Sequence, residues 1–261
     1  MGKIVSIHSF RGGTGKSNIT ANLAATIARK GKRVAIVDTD IQSPGIHVLF
    51  GLNQPSHTLN DFLWGKCSIR DAAHDVSELV RSRLSRDVPL ALFLVPSSLD
   101  ASEIARVLHE GFDVGLLNDG FHQLMEELAV DYLFIDTHPG VNEETLLSIA
   151  ISDSLLVVLR PDNQDFQGTA VTLELARKLD VKQMMLLINK APEDTDVDAL
   201  REKLEAIYGI PVAGILPLSL DVVKLASGGV FSLDFPYHPF SQEIELVTEM
   251  LLVEEASTQH A

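Results

Sequence analysis

The chain has a single cysteine, Cys67, among 261 residues. That excludes an intrachain disulfide and any metal centre assembled from several thiolates of one chain. Cations are also scarce: the 21 Lys and Arg are outnumbered by 36 Asp and Glu, and the formal charge of −15 opposes DNA phosphates and anionic lipid heads wherever no local basic patch prevails. No apolar run approaches the roughly 20 residues of a membrane-spanning helix. The three tyrosines, Tyr132, Tyr208 and Tyr237, are scattered, and the one tryptophan, Trp64, suits a packing anchor better than a ligand platform. There is no internal repeat, and low complexity is confined to a polar tail from about residue 254. Met1-Gly2-Lys3 leads straight into an apolar segment with no room for a cleavable signal, so the expected location is cytoplasmic.

Aliphatic residues, by contrast, are plentiful. Hydrophobic side chains make up 46% of the chain, enough for a sizeable core. Short apolar runs recur at residues 3–8, 34–37, 91–95, 132–135, 154–159, 184–188 and 212–216, between longer helical patterns. They lack the alternation of a half-exposed strand and read as strands buried on both faces. The expected fold class is α/β: a single domain over residues 1–261, with a mostly parallel central sheet of about seven strands flanked by helices. A helix beginning near Asn18 carries Ile19, Leu23 and Ile27 at four-residue spacing, and Gly31 is placed to end it. Arg29, Lys30, Lys32 and Arg33 at its negative end fit capping and solvation rather than a nucleic-acid patch. The segments 52–90 and 96–130 are the least regular, with a helical pattern from Leu59 to Trp64. Arg81, Arg83 and Arg86 form the one cluster that could face an anion, although a solvated face fits them better.

Between the first apolar run and the first helix lies Ser9-Phe10-Arg11-Gly12-Gly13-Thr14-Gly15-Lys16-Ser17. Glycines let consecutive N–H groups converge on an anion, and the helix that follows offers its positive end to the same anion. A lysine at a helix N-terminus opposes the backbone dipole by a few tenths to about 1 kcal/mol, so Lys16 needs a compensating phosphate. The expected phosphate cradle is Gly12, Gly13, Thr14, Gly15 and Lys16, with Asn18 beside it, and the Ser17 hydroxyl is placed to ligate Mg²⁺.

Three later segments complete a nucleotide site. Val34-Ala35-Ile36-Val37 delivers Asp38-Thr39-Asp40 at a strand end, two carboxylates on one side of an extended segment. Tyr132-Leu133-Phe134-Ile135 ends in Asp136-Thr137-His138-Pro139-Gly140, where Asp136 would hold Mg²⁺ through water and Gly140 could bring its N–H to the γ-phosphate. His138 in that turn could donate to phosphate or relay a proton, but an incidental turn residue fits it better. Asn189, at the end of Leu186-Leu187-Ile188, could pair with a donor and an acceptor on adenine.

The loop lacks the first glycine of the standard motif, having Phe10 there, and carries a cation, Arg11, ahead of Gly12-Gly13. In this it resembles the deviant phosphate loop of the MinD/ParA ATPases, whose signature residue is a lysine that reaches a partner subunit's nucleotide. The Asp38-x-Asp40-x-x-x-Pro44 pattern resembles switch I of that family, and the turn around Pro217 and Leu218 resembles its base-framing segment. The resemblance implies that Asp38 orders the Mg²⁺ shell, that Asp40 orients the attacking water, and that Arg11 with Lys16 acts on the phosphates. A guanidinium keeps its charge and grips phosphate in a bidentate way.

What the resemblance implies overall is an ATP- and Mg²⁺-dependent dimerisation switch that hydrolyses ATP and positions or segregates a cargo. The expected partners are a second copy on ATP and a protein activator or cargo adaptor. The acidic segment from Gln242 to Ala256, without Lys or Arg, argues against direct membrane binding, and the net charge argues against direct DNA binding. Two alternatives stay open: a nucleotide-gated scaffold with little turnover, and a small-molecule ligase or synthase using the same loop. Iron–sulfur carriers are set aside by the lone Cys67, and bacterial tyrosine kinases by the scattered tyrosines.

Overall fold

A computed structural model describes residues 2–85 and 88–252. Its strands are β1 (Lys3–His8), β2 (Arg33–Asp38), β3 (His74–Asp75), β4 (Ala91–Val95), β5 (Tyr132–Asp136), β6 (Ser154–Leu159), β7 (Gln183–Ala191) and β8 (Val212–Pro217). They form one sheet in the order β3-β4-β2-β5-β1-β6-β7-β8. Every pairing is parallel except that of β3 with β4. The seven apolar runs are all strands. The eighth, β3, is a two-residue edge strand too short to carry a period, fixed by pairing His74 with Leu94 and Asp75 with Phe93.

Both faces of the sheet are covered, which is why the runs do not alternate. On one face Val34, Ile36, Tyr132 and Phe134 pack against Ile19, Leu23 and Ile27 of the Lys16–Arg29 helix and Val247 and Leu251 of the Pro239–Leu252 helix. The opposite face holds two clusters. Ala35, Val37, Leu133 and Ile135 meet Phe62, Leu117 and Phe121, while Leu155, Val157, Leu186 and Ile188 meet Leu173, Leu204 and Tyr208. Trp64 packs against the first of these clusters with Arg106 stacked 3.8 Å above its ring.

The first helix starts at Lys16, two residues before the expected start near Asn18, because Gly15 turns the chain in the left-handed region at φ 98°. Its basic end does more than cap. Arg29 donates to Glu245 at 2.8 Å, and Lys30 pairs with Glu245 and Glu249, so the acidic face of the last helix is neutralised by the first. The arginine cluster is likewise spent internally: Arg81 donates to the Leu90 carbonyl and Arg83 to Asp234. Arg86 and the polar tail lie outside the described residues.

This topology places the carboxyl ends of β1, β2, β5, β6, β7 and β8 along one edge, with β1 between β5 and β6. In an open parallel sheet that edge is where ligands bind.

Candidate nucleotide site

The loop after β1 is shaped by its neighbours. Lys190 Nζ donates to the Gly13 carbonyl and Asn189 Nδ2 to the Thr14 carbonyl, each at 2.8 Å. Peptides are planar and trans, so drawing those two carbonyls towards β7 turns the Thr14 and Gly15 N–H groups the other way, into the loop. Gly13 and Gly15 have φ of 75° and 98°. A Cβ on Gly15 would meet Asn189 Nδ2 at 2.5 Å, so that position needs glycine for space as well as for backbone. The helix that follows has no side-chain cap and no acidic residue in its first turn, which leaves its N–H groups for an anion.

Lys16 is buried at this helix start, where its charge acts on two buried carboxylates, Asp40 and Asp136. Asp38 and Asp136 are register partners on β2 and β5, both fully buried, and each has a second oxygen, Oδ2, without a hydrogen-bond partner among the described residues. Burial pushes Asp136 up to about 6, while Lys16 and hydrogen bonds from Ser17 and Thr20 pull it back. Burial and the negative charges of Asp136 and Asp40 raise Asp38 well above the usual carboxylate range. Asp40 is raised by burial, and Lys16 and His138 oppose the rise. Two buried carboxylates with unpartnered oxygens and raised affinity for protons are suited to a divalent cation. Ser17, Asp38 and Asp136 therefore fit Mg²⁺. No group of three or more His, Cys, Asp or Glu among the described residues could hold a metal alone, so phosphate and water would complete the shell.

The loop after β5 is tied to the phosphate loop. Thr137 donates through both N and Oγ1 to the Ile7 carbonyl, and His8 Nδ1 lies 2.8 Å from Thr137 Oγ1. Burial, then Lys16 and His138, lowers His8 to about 3. The Gly140 N–H donates to the Ser9 carbonyl at 3.1 Å. That corrects the expectation for Gly140: its N–H joins the two loops rather than standing free for a phosphate.

Asn189 and the Pro217-Leu218 turn line a cavity of about 210 Å³ together with Gly15, Asn18, Val222 and Phe240. Asn189 is only partly available to a base, because Nδ2 is bonded to Thr14 and Oδ1 accepts from the Lys190 N–H. Arg11 departs from expectation too. Its guanidinium is held by its own chain, at 3.4 Å from Asp162 and 3.2 Å from Asp165. Beside it the Phe10 ring fills the space where a Cβ on Gly168 would sit.

Three contributors were missed in the sequence. Lys190 looked like any exposed lysine after a strand, and Val222 and Phe240 belong to segments that carry no motif. Nothing local announces them, since their roles come from chain crossings over 170 residues apart, as for Lys190 and Gly13.

An anion cradle, a buried lysine and a carboxylate pair waiting for a cation define a P-loop nucleotide-binding site. Residues 5–232 match the CobQ/CobB/MinD/ParA nucleotide binding domain, and the chain belongs to that family. It is 29% identical over 250 residues to an uncharacterized ATP-binding protein, MJ0547, of Methanocaldococcus jannaschii, covering 95% of this chain and 87% of the relative. The fold is that of the cell division ATPase MinD of Pyrococcus furiosus, with a TM-score of 0.80 at 21% identity over 96% of this chain and 98% of that one. MinD of Pyrococcus horikoshii, solved with Mg-ADP, gives 0.78 at 19% identity and 96% of each chain. Among the described residues no helix is long and apolar enough to cross a membrane.

Proposed function

We propose that this protein is an Mg²⁺-dependent ATPase that dimerises on ATP and separates on hydrolysis, working on a cargo through protein partners. The observation that carries this reading is the arrangement of buried Lys16 with Asp38 and Asp136, whose Oδ2 atoms have no partner among the described residues, at an uncapped helix start, a setting suited to a phosphate and a divalent cation. The Mg-ADP in the Pyrococcus horikoshii neighbour supports the choice of ligand.

In this reading the loop N–H groups and Lys16 bind the triphosphate, and Ser17, Asp38 and Asp136 hold Mg²⁺, the carboxylates through water. Bound Mg²⁺ supplies charge neutralisation on the phosphate oxygens. Asp40 orients the attacking water, and the cavity bounded by Asn189, Pro217 and Leu218 takes the base. Arg11 serves a second subunit after leaving Asp162 and Asp165. Catalysis then consists of positioning and charge stabilisation. The location is cytoplasmic, and neither DNA nor lipid is a direct ligand.

A scaffold without turnover would have no use for Asp40, whose side chain is poised beside Lys16. Phosphate release measured beside size exclusion, with ATP and with a slowly hydrolysed analogue, tests the reading. Nucleotide-dependent dimers and Mg²⁺-dependent phosphate release are expected; a monomer under all conditions would refute the switch.

A further inference from the structure

Within the loop after β5 stands His138, which the sequence reads as an incidental turn residue. Its side chain is 22% exposed, its Nδ1 is buried with no partner among the described residues, and its Nε2 lies 3.8 Å from Asp40 Oδ1. The backbone beneath it is fixed: Thr145 Oγ1 donates to the His138 carbonyl at 3.3 Å, and Gly140 is bonded to Ser9. Pro139 packs at the phosphate loop, where a Cβ on Gly12 would meet its Cγ at 3.8 Å. The imidazole therefore stands on a rigid support, with one edge towards the carboxylate assigned to the water. The same Asp40 oxygen, Oδ1, also accepts from the Ser43 N–H at 3.2 Å.

We infer that His138 is a positioning residue for ATP hydrolysis, donating its Nε2 hydrogen to Asp40 so that the carboxylate keeps one oxygen turned to the attacking water. The inference rests on the reading of Asp40 as the water-orienting group. In the step served, the water oxygen bonds to the γ-phosphorus as the bond from that phosphorus to the β–γ bridging oxygen breaks. The electron pair leaves with ADP, and the water proton passes through Asp40 to the departing phosphate. His138 exchanges no proton. The present 3.8 Å separation is longer than a hydrogen bond, and contacts of this kind tighten when substrate fills the site. A carboxylate whose Oδ1 is engaged by two donors, with Oδ2 left to the water, loses less orientational freedom in the transition state than one held by Ser43 alone.

The test uses the full-length protein with Mg²⁺ and ATP. His138→Ala should lower kcat by roughly 10-fold or more, with affinity for a slowly hydrolysed ATP analogue unchanged within about twofold. His138→Gln, which keeps a neutral donor, should recover most of the loss. In an Asp40→Asn background, His138→Ala should have no further effect. An unchanged kcat, a loss of analogue affinity matching the loss of rate, or additive effects with Asp40→Asn would each overturn the assignment. A second readout is independent of turnover. In ¹⁵N-histidine-labelled protein with Mg²⁺ and the analogue, a hydrogen-bonded Nε2–H signal should vanish in His138→Ala and move in Asp40→Asn. If wild type releases no phosphate, the hydrolysis reading fails by itself, and an Nε2–H signal indifferent to Asp40→Asn then refutes the contact as well.

Discussion

Arg11 and Asp165 of one chain are bridged at 3.2 Å, and the same carboxylate takes the N–H and Nε of Arg160. Asp165 is 2% exposed; burial would raise its pKa, but the bonds from Arg160, with Arg11 adding to them, hold it below the ordinary value. Arg11 is thus a replaceable member of a group that Arg160 already satisfies. At 37% exposure its pair is worth at most about 1 kcal/mol, which the phosphates of a second subunit could outbid.

The expected behaviour of Arg11→Ala follows. Monomeric ATP binding and thermal stability should stay near wild type, while ATP-dependent dimerisation and turnover are lost, and Arg11→Lys should keep both. Size exclusion with a slowly hydrolysed analogue reads the first property and phosphate release the second. Normal dimers in Arg11→Ala would make the arginine a loop residue that only binds Asp162 and Asp165.

Lys16→Ala should abolish Mg²⁺-dependent ATP binding, since among the described residues it is the only buried Lys or Arg and its charge acts on Asp40 and Asp136. Isothermal titration with an analogue measures it. Undiminished affinity would remove the P-loop assignment.

Packing of Phe10 on Gly168 gives a steric prediction. A Cβ at Gly168 would come within 2.1 Å of Phe10 Cδ1, and Phe10 adjoins Arg11 in the phosphate loop. Gly168→Ala should displace the ring, weaken nucleotide binding and lower the melting temperature, with a cost of about 1–3 kcal/mol typical of overpacking. Phe10→Ala combined with Gly168→Ala should recover binding towards the Phe10→Ala level. If Gly168→Ala alone binds as wild type does, the ring is not a determinant of loop shape.

The raised pKa of Asp136 implies a pH signature. Below pH 3.8 both states hold the proton; between 3.8 and about 6 the unfolded chain releases it while the folded one keeps it; above about 6 the folded chain must ionise a buried group. Stability from this residue is therefore full at low pH and lost as pH rises through about 6. Asp136→Asn should raise the melting temperature of nucleotide-free protein at pH 7.5, by roughly 1–3 kcal/mol at about 2–4 °C each, and by much less at pH 4.5. His8, lowered to about 3, has the opposite slope, destabilising the fold as pH falls below 6.5, but it is common to both proteins and cancels in the difference. Thermal unfolding at the two pH values decides it; an equal gain at both would deny the buried ionisation.

The sheet and the phosphate loop were legible because each depends on local pattern: β-rich apolar runs for Val34–Val37 or Tyr132–Ile135, and glycine, Lys16 and Ser17 at fixed offsets for the loop. The placement of Asp38 and Asp136 at strand ends was legible for the same reason. Gly140 was misread because an N–H in a glycine turn has no sequence mark telling whether a carbonyl already holds it, and Ser9 does. Lys190, Phe240 and the Phe10–Gly168 fit were invisible, being contacts between segments distant in the chain. The orientation of Arg11 was also beyond sequence, since only the fold brings it to Asp162 and Asp165.

Asp40 and Arg11 together offer the sharpest test of a shared site. Asp40→Ala should bind ATP and dimerise yet hydrolyse barely at all, because its carboxylate is assigned to the water and not to holding the nucleotide; general-base loss is typically about 100-fold or more. Arg11 is bound to Asp162 and Asp165 of its own chain, so a catalytic part for it requires that it leave them and reach across. Mixing Arg11→Ala with Asp40→Ala subunits separates the geometries. If Arg11 acts on the opposite chain's ATP while Asp40 serves its own, the site in the Arg11→Ala subunit keeps its own Asp40 and receives the partner's Arg11, whereas the other site lacks both. Turnover should then return in the mixture, up to about half the wild-type rate for each heterodimer since one of its two sites is complete, measured as phosphate release at concentrations where each variant alone is silent. If both groups act within one chain, no site in the heterodimer is complete and no activity returns, which would confine Arg11 to its own chain's nucleotide and remove the cross-subunit role.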